Sequence, residues 1–425
     1  KKNILKFGIP EAVGVSSRKL KKVDSLLKQG LKQRMFPGAQ VLIARKGQVI
    51  YQRSIGYHTY NRKRRVTHQD RYDLASLTKI LATLPLVMKD YDRGKINMNS
   101  KIGRLLPEFK GSNKGSISLI RMLSHYAGFK SWIPFYRNTL DTINMVPLTN
   151  YYRDRSITEV QYGPVYGKPW KAWRGDTVVF DIQVTDKLYL RQDYKDSIMN
   201  RIKNSELLPK VIYKYSDLPY YVLQAYLEGQ GQETLNEMTE REFYRPMGAW
   251  TMSYLPQTKA DLTEIIPSEV DNYFRQQTVH GHVHDPGAAM MGGVGGHAGL
   301  FSNAMDVAKM MQMYLWKGTY GDIEYITAKT LSDFNTCYFC KNGVRRGVGF
   351  DKPQLEDEGP TCGCVSKESF GHSGFTGTFA WADPEAEVVY VFLSNRTYPS
   401  AKNRSLISSS LRTEIQAAIY QAIEN

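Results

Sequence analysis

Two pairs of strand patterns, one near each end of the chain, most constrain what this sequence can fold into. Residues 39–44 and 48–57 form the first pair around a Lys46-Gly47 turn, and residues 376–382 and 387–394 form the second. Both pairs are apolar segments separated by turn residues, which is typical of β-hairpins. Hairpins at both ends with helical patterns between them predict one antiparallel sheet built by both termini, together with a helical insert.

Helical spacing of apolar residues marks several segments outside the hairpins. We expect helices over 16–34, over 74–91 with a kink at Pro85, from about Ser302 onward, and over about 402–423. The chain therefore combines helices and strands in one α/β (α+β) fold.

The 425 residues exceed the roughly 250–300 that a single core usually accommodates, so more than one structural unit is expected. We predict that 1–110 and 290–425 form the sheet domain and that 111–289 form a mostly helical insert. Within the insert, 130–210 are rich in Tyr and Trp, show weak periodicity, and are predicted to form part of a cleft wall. The whole is expected to act as one catalytic unit.

The chain is basic, with a net charge of +16 and a pI near 9.4. Its basic residues are scattered, and the densest cluster is only Arg62-Lys63-Arg64-Arg65. No basic arm, zinc-finger spacing or RNA-binding aromatic signature accompanies them, so no nucleic-acid partner is expected. The longest apolar run, 388–393, is too short to span a bilayer. The first residues lack an initiator Met and an apolar signal region, which suggests a mature chain or an excised domain.

Four cysteines cluster in one short region, at Cys337, Cys340, Cys362 and Cys364. The spacing C-x-x-C followed by C-x-C could hold a tetrahedral zinc ion. An even count in an exported protein equally suits two disulfides, and free thiols are a third possibility. No His stands beside them at ligand spacing, and the connectivity cannot be deduced from the sequence.

The first candidate chemical element is Ser76-Leu77-Thr78-Lys79 at the start of a predicted helix. A serine hydroxyl is a weak nucleophile until a neighbouring base removes its proton. Residues i and i+3 share one helix face, so Lys79 can place its amine against the Ser76 hydroxyl. The same S-x-x-K pattern occurs at 16–19 and 25–28, but on an exposed, Lys-rich helix without an apolar turn to desolvate the amine.

The second and third elements are Tyr215-Ser216-Asp217 and the segment 371–377. A phenolic oxygen near a lysine can transfer a proton to a leaving group, although Ser216 or Asp217 could instead simply cap a helix. The small residues of 371–377 let a strand backbone approach a ligand closely. The N–H groups of Phe375 and Ser76 could then form an oxyanion hole.

Other candidate residues carry weaker patterns. His280, His282 and His284 alternate, which on a strand would place three imidazoles on one face as a metal cluster, or in a loop would leave them unrelated. We expect no metal. Arg345-Arg346 could bind an anionic substrate group through paired hydrogen bonds, or could lie on the surface.

In this order, Ser76…Lys79, Tyr215…Asp217 and His372-Ser373-Gly374 resemble the three motifs of the serine β-lactamase-like, penicillin-binding-protein superfamily, in particular its class C β-lactamases, esterases and D-aminopeptidases. The segments 36–39, 123–128 and 295–302 also look like that family. The resemblance spans roughly residues 10 to 420. It implies a β-lactamase-like sandwich whose central antiparallel sheet is flanked by helices.

The resemblance also implies a chemistry. An ester, amide or lactam would acylate Ser76, with Lys79 and Tyr215 sharing proton transfer and His372 completing the catalytic set. The oxyanion hole would be the backbone of Ser76 and Phe375, and no cofactor would be needed. The implied substrate-binding residues are Asp217, Ser373, Gly374 and Arg345.

The chain departs from the family pattern at two motifs. His372 and Ser373 stand where β-lactamases and many peptidases have Lys and Thr, and that Lys helps bind a substrate carboxylate. Asp217 stands where an amide side chain is usual, and a carboxylate beside Lys79 would raise the pKa of the amine unless it points elsewhere.

We therefore predict a serine hydrolase acting on a small ester, a D-aminoacyl amide or a cell-wall peptide. The alternative enzyme is a true β-lactamase or D,D-carboxypeptidase, and the alternative from another class is a catalytically silent module that binds cell-wall fragments or a partner. The segments 347–351 and 284–286 further resemble serine-hydrolase domains that follow a glycoside hydrolase family 3 module in some exported bacterial enzymes. That resemblance implies an N-terminal glycoside hydrolase partner and a periplasmic or otherwise exported location.

Overall fold

The fold is described from a computed structural model, which covers residues 3–154 and 178–424. Its strands are β1 (Lys6–Phe7), β2 (Gly38–Arg45), β3 (Gln48–Gly56), β4 (Tyr72–Asp73), β5 (Tyr152–Asp154), β6 (Phe180–Thr185), β7 (Leu188–Arg191), β8 (Glu269–Asp271), β9 (Gln277–Val279), β10 (Phe301–Ser302), β11 (Thr319–Tyr320), β12 (Ile323–Glu324), β13 (Phe370–Ser373), β14 (Phe379–Asp383) and β15 (Val388–Ser394).

Its α-helices are α1 (Ser17–Lys32), α2 (Leu84–Asp92), α3 (Ile102–Leu105), α4 (Leu119–Leu123), α5 (Tyr194–Asn204), α6 (Leu218–Glu228), α7 (Leu235–Thr239), α8 (Arg245–Met247), α9 (Pro286–Met290), α10 (Ala304–Leu315), α11 (Ala328–Asn335), α12 (Ser405–Ser408) and α13 (Leu411–Ala422).

A six-stranded sheet in the order β1-β3-β2-β15-β14-β13 joins the two ends of the chain. β15 pairs antiparallel with β2 at its centre, where Phe392 lies opposite Val41. The predicted sheet built by both termini is therefore confirmed. One detail of the prediction was wrong: the two-residue edge strand β1 runs parallel to β3, so the sheet is mixed rather than wholly antiparallel.

The sheet is buried on both faces, because alternate residues of each strand point to opposite sides. Val41 and Ile43 pack into one core with α1 and α13, whereas Leu42 and Ala44 pack into a larger core that includes α10. The helix–sheet–helix sandwich that was predicted is thus confirmed. The larger core continues from the sheet through the insert, so the two predicted domains share one hydrophobic interior.

The helix predicted over 74–91 runs without a break over 77–92, but it widens just before its proline. Residues 79–83 form a wider π-helical turn, and Pro85 lies in the first turn of α2. Because proline has no N–H, the carbonyl of Leu81 loses its usual helical donor and instead accepts from the Tyr244 hydroxyl at 2.9 Å. The carbonyl of Ile80 accepts from the Tyr314 hydroxyl in the same way at 2.5 Å.

Two other sequence-predicted elements differ in extent. The single C-terminal helix over 402–423 was wrong, since the chain there forms the short α12 and then α13 with a serine-rich break between them. The strand predicted over 376–382 begins only at Phe379. Its first residues form a turn because the hydroxyls of Thr376 and Thr378 bond to the carbonyls of Asp73 and Leu74.

The described part of 111–289 contains more helix than strand, with α4 to α8 beside the small sheet β5-β7-β6 and the hairpin β8-β9. Much of the Tyr- and Trp-rich segment, residues 155–177, lies outside the described residues. Among the described helices, none combines the length and apolar content that a bilayer span needs.

Candidate active site

One cleft, with a volume of about 780 Å³, brings the three sequence motifs together. Its lining includes Ser76, Tyr215 and Asp217, and the segment 372–375 at the end of β13. Aromatic side chains from the insert, Trp132 among them, complete the lining. The predicted contribution of the insert to a cleft wall therefore holds for those of its residues that are described.

Ser76 stands on a tight turn between β4 and the helix that carries Lys79. Ala75, just before it, has φ of 49°, a left-handed conformation that costs a residue with a side chain roughly 1 kcal/mol. The Asp73 carboxylate accepts the Ala75 N–H at 2.8 Å, and the carbonyl of Leu300 accepts the Leu74 N–H at 2.9 Å. These bonds hold the strained turn and fix the direction of the Ser76 side chain.

The Ser76 hydroxyl lies between two donors. Lys79 Nζ is 2.9 Å from Ser76 Oγ, and the Tyr215 hydroxyl donates to the same oxygen at 3.0 Å. The predicted meeting of the first and second motifs is thus present in the geometry. Both lone pairs of the serine oxygen are occupied by these two donors.

Lys79 is entirely buried and makes two further contacts. Its Nζ lies 2.7 Å from Asp217 Oδ1 and 3.2 Å from the carbonyl of His297. Burial alone would lower the pKa of Lys79, but the adjacent Asp217 carboxylate outweighs it, and the net pKa is raised. Lys79 is therefore an ammonium at rest.

The turn that carries Tyr215 is clamped on both sides. The carbonyl of His125 accepts the Lys214 N–H at 2.9 Å, and His125 Nδ1 accepts the Ser216 N–H at 3.2 Å. The ring of His125 packs 4.7 Å from that of Tyr215. Burial, opposed by the Lys79 ammonium, raises the pKa of Tyr215, so its hydroxyl keeps its proton.

Asp217 occupies the position before α6 where a side chain usually caps a helix, yet it makes no capping hydrogen bond. Its carboxylate turns to Lys79 instead, and the Ser216 hydroxyl accepts the Leu218 N–H. The sequence prediction left Asp217 as a substrate-binding residue. The geometry gives its carboxylate an ion pair with the lysine, while the side chain still borders the cleft.

The third motif forms the free end of β13, with His372 and Ser373 on the strand and Gly374 in the following turn. A Cβ on Gly374 would lie 2.0 Å from Thr378 Oγ1 and 2.6 Å from the carbonyl of Leu74. Only glycine lets this turn pack against the loop that carries Ser76.

His372 is buried, and its Nδ1 lies 2.6 Å from the carbonyl of Ser373. A carbonyl can only accept, so Nδ1 carries the proton. Burial, reinforced by Arg346, lowers the pKa of His372 far below its usual value, so the ring is neutral and Nε2 presents a lone pair. Within the described residues, Nε2 has no hydrogen-bond partner.

The two backbone N–H groups predicted for the oxyanion hole belong to Ser76 and Phe375. Neither gives a hydrogen bond to another group in the part of the chain that is described. The Phe375 side chain is 54% exposed in the cleft and stacks on the ring of His284 at 5.6 Å. Both N–H groups are thus free for a substrate oxygen.

The arginine pair at 345–346 lies at the cleft wall with its charge partly balanced by Asp351. Arg345 Nε is 3.1 Å from Asp351 Oδ1, and Arg346 Nε is 3.4 Å from the same oxygen. Arg346 also lies 5.2 Å from the centre of the Tyr215 ring, and its Nη1 has no hydrogen-bond partner among the described residues. The sequence singled out Arg345 for substrate binding, but Arg346 lies closer to the second motif.

Two histidine–carboxylate pairs in the cleft were missed at the sequence level. His297 Nε2 is 2.7 Å from Asp285 Oδ1, and His284 Nε2 is 2.7 Å from Glu269 Oε2. The His297 pair lies directly behind Lys79 because the His297 carbonyl accepts from that amine. Family-like segments contained both histidines, but nothing in the sequence indicates their acidic partners.

The alternating histidines do not form a cluster, since His280 contacts the carbonyl of Ile265 and His282 contacts Gln257. Among the described residues, no group of His, Cys, Asp and Glu could hold a metal ion. The four cysteines form the disulfides Cys337–Cys340 and Cys362–Cys364, which was one of the three alternatives left open.

Comparison with known proteins places these features in context. Residues 23–408 match the Beta-lactamase family. A protein of Salmonella gallinarum (strain 287/91 / NCTC 13346), named as a candidate D-alanyl-D-alanine carboxypeptidase, is 26% identical over 428 residues, covering 94% of this chain and 88% of the relative.

Solved structures give the same fold. A class C beta-lactamase superposes with a TM-score of 0.66 at 13% identity, covering 96% of this chain and 98% of that one. EstCE1, described as a hydrolase with promiscuous acyltransferase activity, superposes with a TM-score of 0.63 at 18% identity, covering 95% and 99%. At these identities the likeness concerns the fold alone.

The family match covers most of the chain, and the sheet, the helices and the three motifs follow the order expected from the sequence. The predicted β-lactamase-like fold and the predicted enzyme class are therefore confirmed at the level of the family. The chain belongs to the beta-lactamase family of serine hydrolases.

Proposed function

We propose that this protein hydrolyses a small ester, a D-aminoacyl amide or a cell-wall peptide through an acyl intermediate on Ser76. The observation that carries the proposal is the position of Ser76 Oγ, 2.9 Å from Lys79 Nζ and 3.0 Å from the Tyr215 hydroxyl in the floor of the cleft. A serine on a strained turn, flanked by two groups that exchange protons, has what nucleophilic catalysis requires.

The proposed roles follow from these contacts. Ser76 Oγ attacks the substrate carbonyl, and the Oγ proton passes towards Lys79. The developing oxyanion takes the free N–H groups of Ser76 and Phe375. Tyr215 keeps its proton at rest and gives it to the leaving group. Water then attacks the acyl-serine, and the same groups return the protons.

We propose that His372 helps to bind the substrate and takes no part in the reaction at the carbonyl carbon. As a neutral ring it offers a lone pair at Nε2, where many relatives of this kind offer a lysine ammonium. A lone pair accepts from an N–H or O–H group and repels a carboxylate. This favours an ester or aminoacyl substrate over a β-lactam, whose carboxylate the lysine helps to bind.

The other lining residues are proposed to hold the rest of the substrate. Ser373 and Gly374 offer backbone and a hydroxyl at the edge of β13, and the Arg345–Arg346 pair offers positive charge for an anionic group. The arginine pair is the observation that favours the alternative of a D,D-carboxypeptidase, the activity after which the Salmonella relative is named. Such a peptide ends in a carboxylate.

Two further parts of the proposal concern the setting of the domain. We propose an exported, periplasmic location, in keeping with the cell-wall activity named for the relative and with the two disulfides. An N-terminal glycoside hydrolase partner in the full-length protein also stays a proposal, based on the resemblance of 347–351 and 284–286 alone.

The test is a substrate panel with wild type, Ser76→Ala and Ser25→Ala. The panel contains p-nitrophenyl esters of short acids, D-aminoacyl p-nitroanilides, nitrocefin and a peptide ending in D-alanyl-D-alanine. We expect turnover of the esters or anilides by wild type and Ser25→Ala, and none by Ser76→Ala.

Turnover of only nitrocefin or the peptide would move the assignment to the alternative enzymes. Silence on all four classes, with cell-wall fragments bound equally by wild type and Ser76→Ala, would contradict the proposal in favour of a binding module.

A further inference from the structure

The surroundings of Lys79 raise a chemical difficulty for the proposed function. An ammonium has three N–H donors, and three acceptors surround Nζ: Ser76 Oγ at 2.9 Å, Asp217 Oδ1 at 2.7 Å and the His297 carbonyl at 3.2 Å. A lysine that already holds all three protons cannot take a fourth from Ser76. Some neighbour must accept a proton before Lys79 can act as a base.

Asp217 is the neighbour placed to do so. Of the three acceptors, the carbonyl cannot hold a proton at neutral pH and Ser76 is the group to be deprotonated. The carboxylate remains. Asp217 also makes no capping hydrogen bond, although it directly precedes α6, and the Ser216 hydroxyl caps the helix instead. Its carboxylate therefore has no structural contact among the described residues that competes with Lys79.

We propose that Asp217 is the proton acceptor behind Lys79, acting through the lysine and not on the substrate. This rests on the proposed acylation of Ser76. As Ser76 Oγ forms its bond to the carbonyl carbon, the carbonyl π pair moves onto oxygen. An Nζ proton first passes to Asp217 Oδ1, which leaves Lys79 a neutral amine, and the Oγ proton then passes to the Nζ lone pair.

The protons balance over the cycle. After acylation Lys79 is again an ammonium and Asp217 is a carboxylic acid. When the bond to the leaving group breaks, that group takes the electron pair of the bond and a proton from Tyr215. Asp217 and Lys79, which together form the proton relay, then return a proton to Tyr215. Water then supplies the hydroxyl that releases the acid and the proton that regenerates Ser76. Over the whole cycle, one substrate and one water give the acid and the protonated leaving group.

The other ionisable groups around the pair are accounted for. Tyr215 and Tyr220 face Lys79 with their rings, 5.1 Å and 5.4 Å from Nζ. Asp285 pairs with His297, and Arg346 forms an ion pair with Asp351. The buried rings of His125 and His372 have pKa values held well below the usual range by burial and then by Arg346, so both are neutral.

The relay predicts which group sets the low-pH limit of acylation. In the wild type the limit is the protonation of a carboxylate. In Asp217→Asn no carboxylate accepts the proton, so Lys79 must first lose its own. Ammonium groups ordinarily titrate several pH units above carboxylic acids, so the low-pH limb moves to higher pH.

The experiment measures the pH dependence of two rates, fluorophosphonate labelling of Ser76 by intact mass and kcat/KM for a p-nitrophenyl ester. The variants are Asp217→Asn, Asp217→Glu and Asp193→Asn. Asp193 is a matched control, because it also precedes a helix without capping it and is ion-paired, with Arg191 at 2.6 Å, but lies outside the cleft lining.

In the pH profiles of both rates, we expect the low-pH limb for Asp217→Asn to lie about one pH unit or more above the limb for wild type. Asp193→Asn should keep the wild-type limb, and Asp217→Glu should restore it at least in part. A limb that does not move in Asp217→Asn, with a change in KM alone, would overturn the relay and make Asp217 a substrate contact.

Failure of the relay and failure of the proposed function give different results. A wild type that is never labelled on Ser76 and never turns over an ester contradicts the function itself. A labelled, active wild type whose limb is unchanged in Asp217→Asn contradicts the relay alone. Should Asp217→Asn not fold, Asp217→Ala takes its place, since it also lacks the carboxylate: an upward movement of its low-pH limb would support the relay, and an unmoved limb would overturn it.

Discussion

The same S-x-x-K pattern begins two helices of this protein, and the two turns use it differently. At α1, the Ser16 hydroxyl accepts the backbone N–H of Lys19 at 3.4 Å as an ordinary cap, and the Lys19 amine meets Glu424 in solvent. At the second helix, the Ser76 hydroxyl instead meets Lys79 Nζ and Tyr215. The pattern alone does not make a nucleophile; what surrounds it does.

The difference between the turns is one of burial and of neighbours. Lys79 is fully enclosed, whereas the side chain of Lys19 is 46% exposed. An exposed lysine is solvated by water, and its ion pair with Glu424 contributes little. A buried one is controlled by the few groups that touch it. The changes considered next remove features of the Ser76 turn and of the residues packed around it, and two of them have a counterpart at the Ser16 turn.

The largest effect is expected from the lysines themselves. Lys79→Met removes the group through which Ser76 loses its proton, and we expect kcat/KM to fall about 10³-fold. Lys19→Met, at the equivalent position of the other turn, should leave kcat/KM within about twofold. Ester hydrolysis by the two variants at neutral pH makes the comparison. Equal losses in both would mean that Lys79 has no special role.

A smaller effect is expected from Gly374, whose turn packs against the Ser76 loop. The added methyl of Gly374→Ala would lie 2.0 Å from Thr378 Oγ1 and should cost about 3 kcal/mol of unfolding free energy. Gly231→Ala, where a Cβ meets nothing within 4 Å, should change it by at most about 0.5 kcal/mol. Urea unfolding measures both. A neutral Gly374→Ala would show that the third motif does not brace the Ser76 turn.

The neutral imidazoles near Ser76 predict a pH dependence of stability. The pKa of His372 is lowered on folding, mainly by burial, so the unfolded chain takes up a proton below its ordinary value of about 6.5 while the folded chain does not. Stability is thus present above that pH and is lost as the pH falls. His372→Asn keeps a donor for the Ser373 carbonyl and removes the titration.

Between pH 7 and pH 5, the wild type should lose about 2 kcal/mol more than His372→Asn. Urea unfolding at several pH values measures the two slopes, whatever the absolute stability of the variant. Parallel slopes would mean that His372 is protonated in the folded protein, and its proposed role as a hydrogen-bond acceptor would fall with it.

The smallest effect is expected at the other turn. Ser16→Ala removes only the helix cap, which should lower the unfolding free energy by about 0.5–1 kcal/mol. Ester hydrolysis should be unchanged. Thermal unfolding and activity of one preparation suffice, and a loss of activity here would contradict the distinction between the two turns.

The frame of the fold could be predicted because it depends on local patterns of apolar residues. The hairpins of β2–β3 and β14–β15 and helix α1 were found from periodicity, and each lies within a few residues of its predicted place. Strand β1 could not be found, since two residues carry no period. The break before α13 was missed because the apolar spacing continues across a run of serines.

The site could be predicted as a set of residues but not as a set of contacts. The order of the motifs indicated that Ser76, Lys79 and Tyr215 would meet, and they do. The direction of the Asp217 side chain could not be inferred, because an aspartate before a helix ordinarily caps it. The acidic partners of His284 and His297 depend on packing between distant segments, for which one sequence holds no local signal.

The most direct test of the account is the mass of the intact protein after exposure to a fluorophosphonate, for wild type, Ser76→Ala and Ser16→Ala. The account predicts a single adduct on wild type and on Ser16→Ala and none on Ser76→Ala, because only one of the two turns activates its serine. An adduct that survives in Ser76→Ala, or is lost in Ser16→Ala, would contradict it.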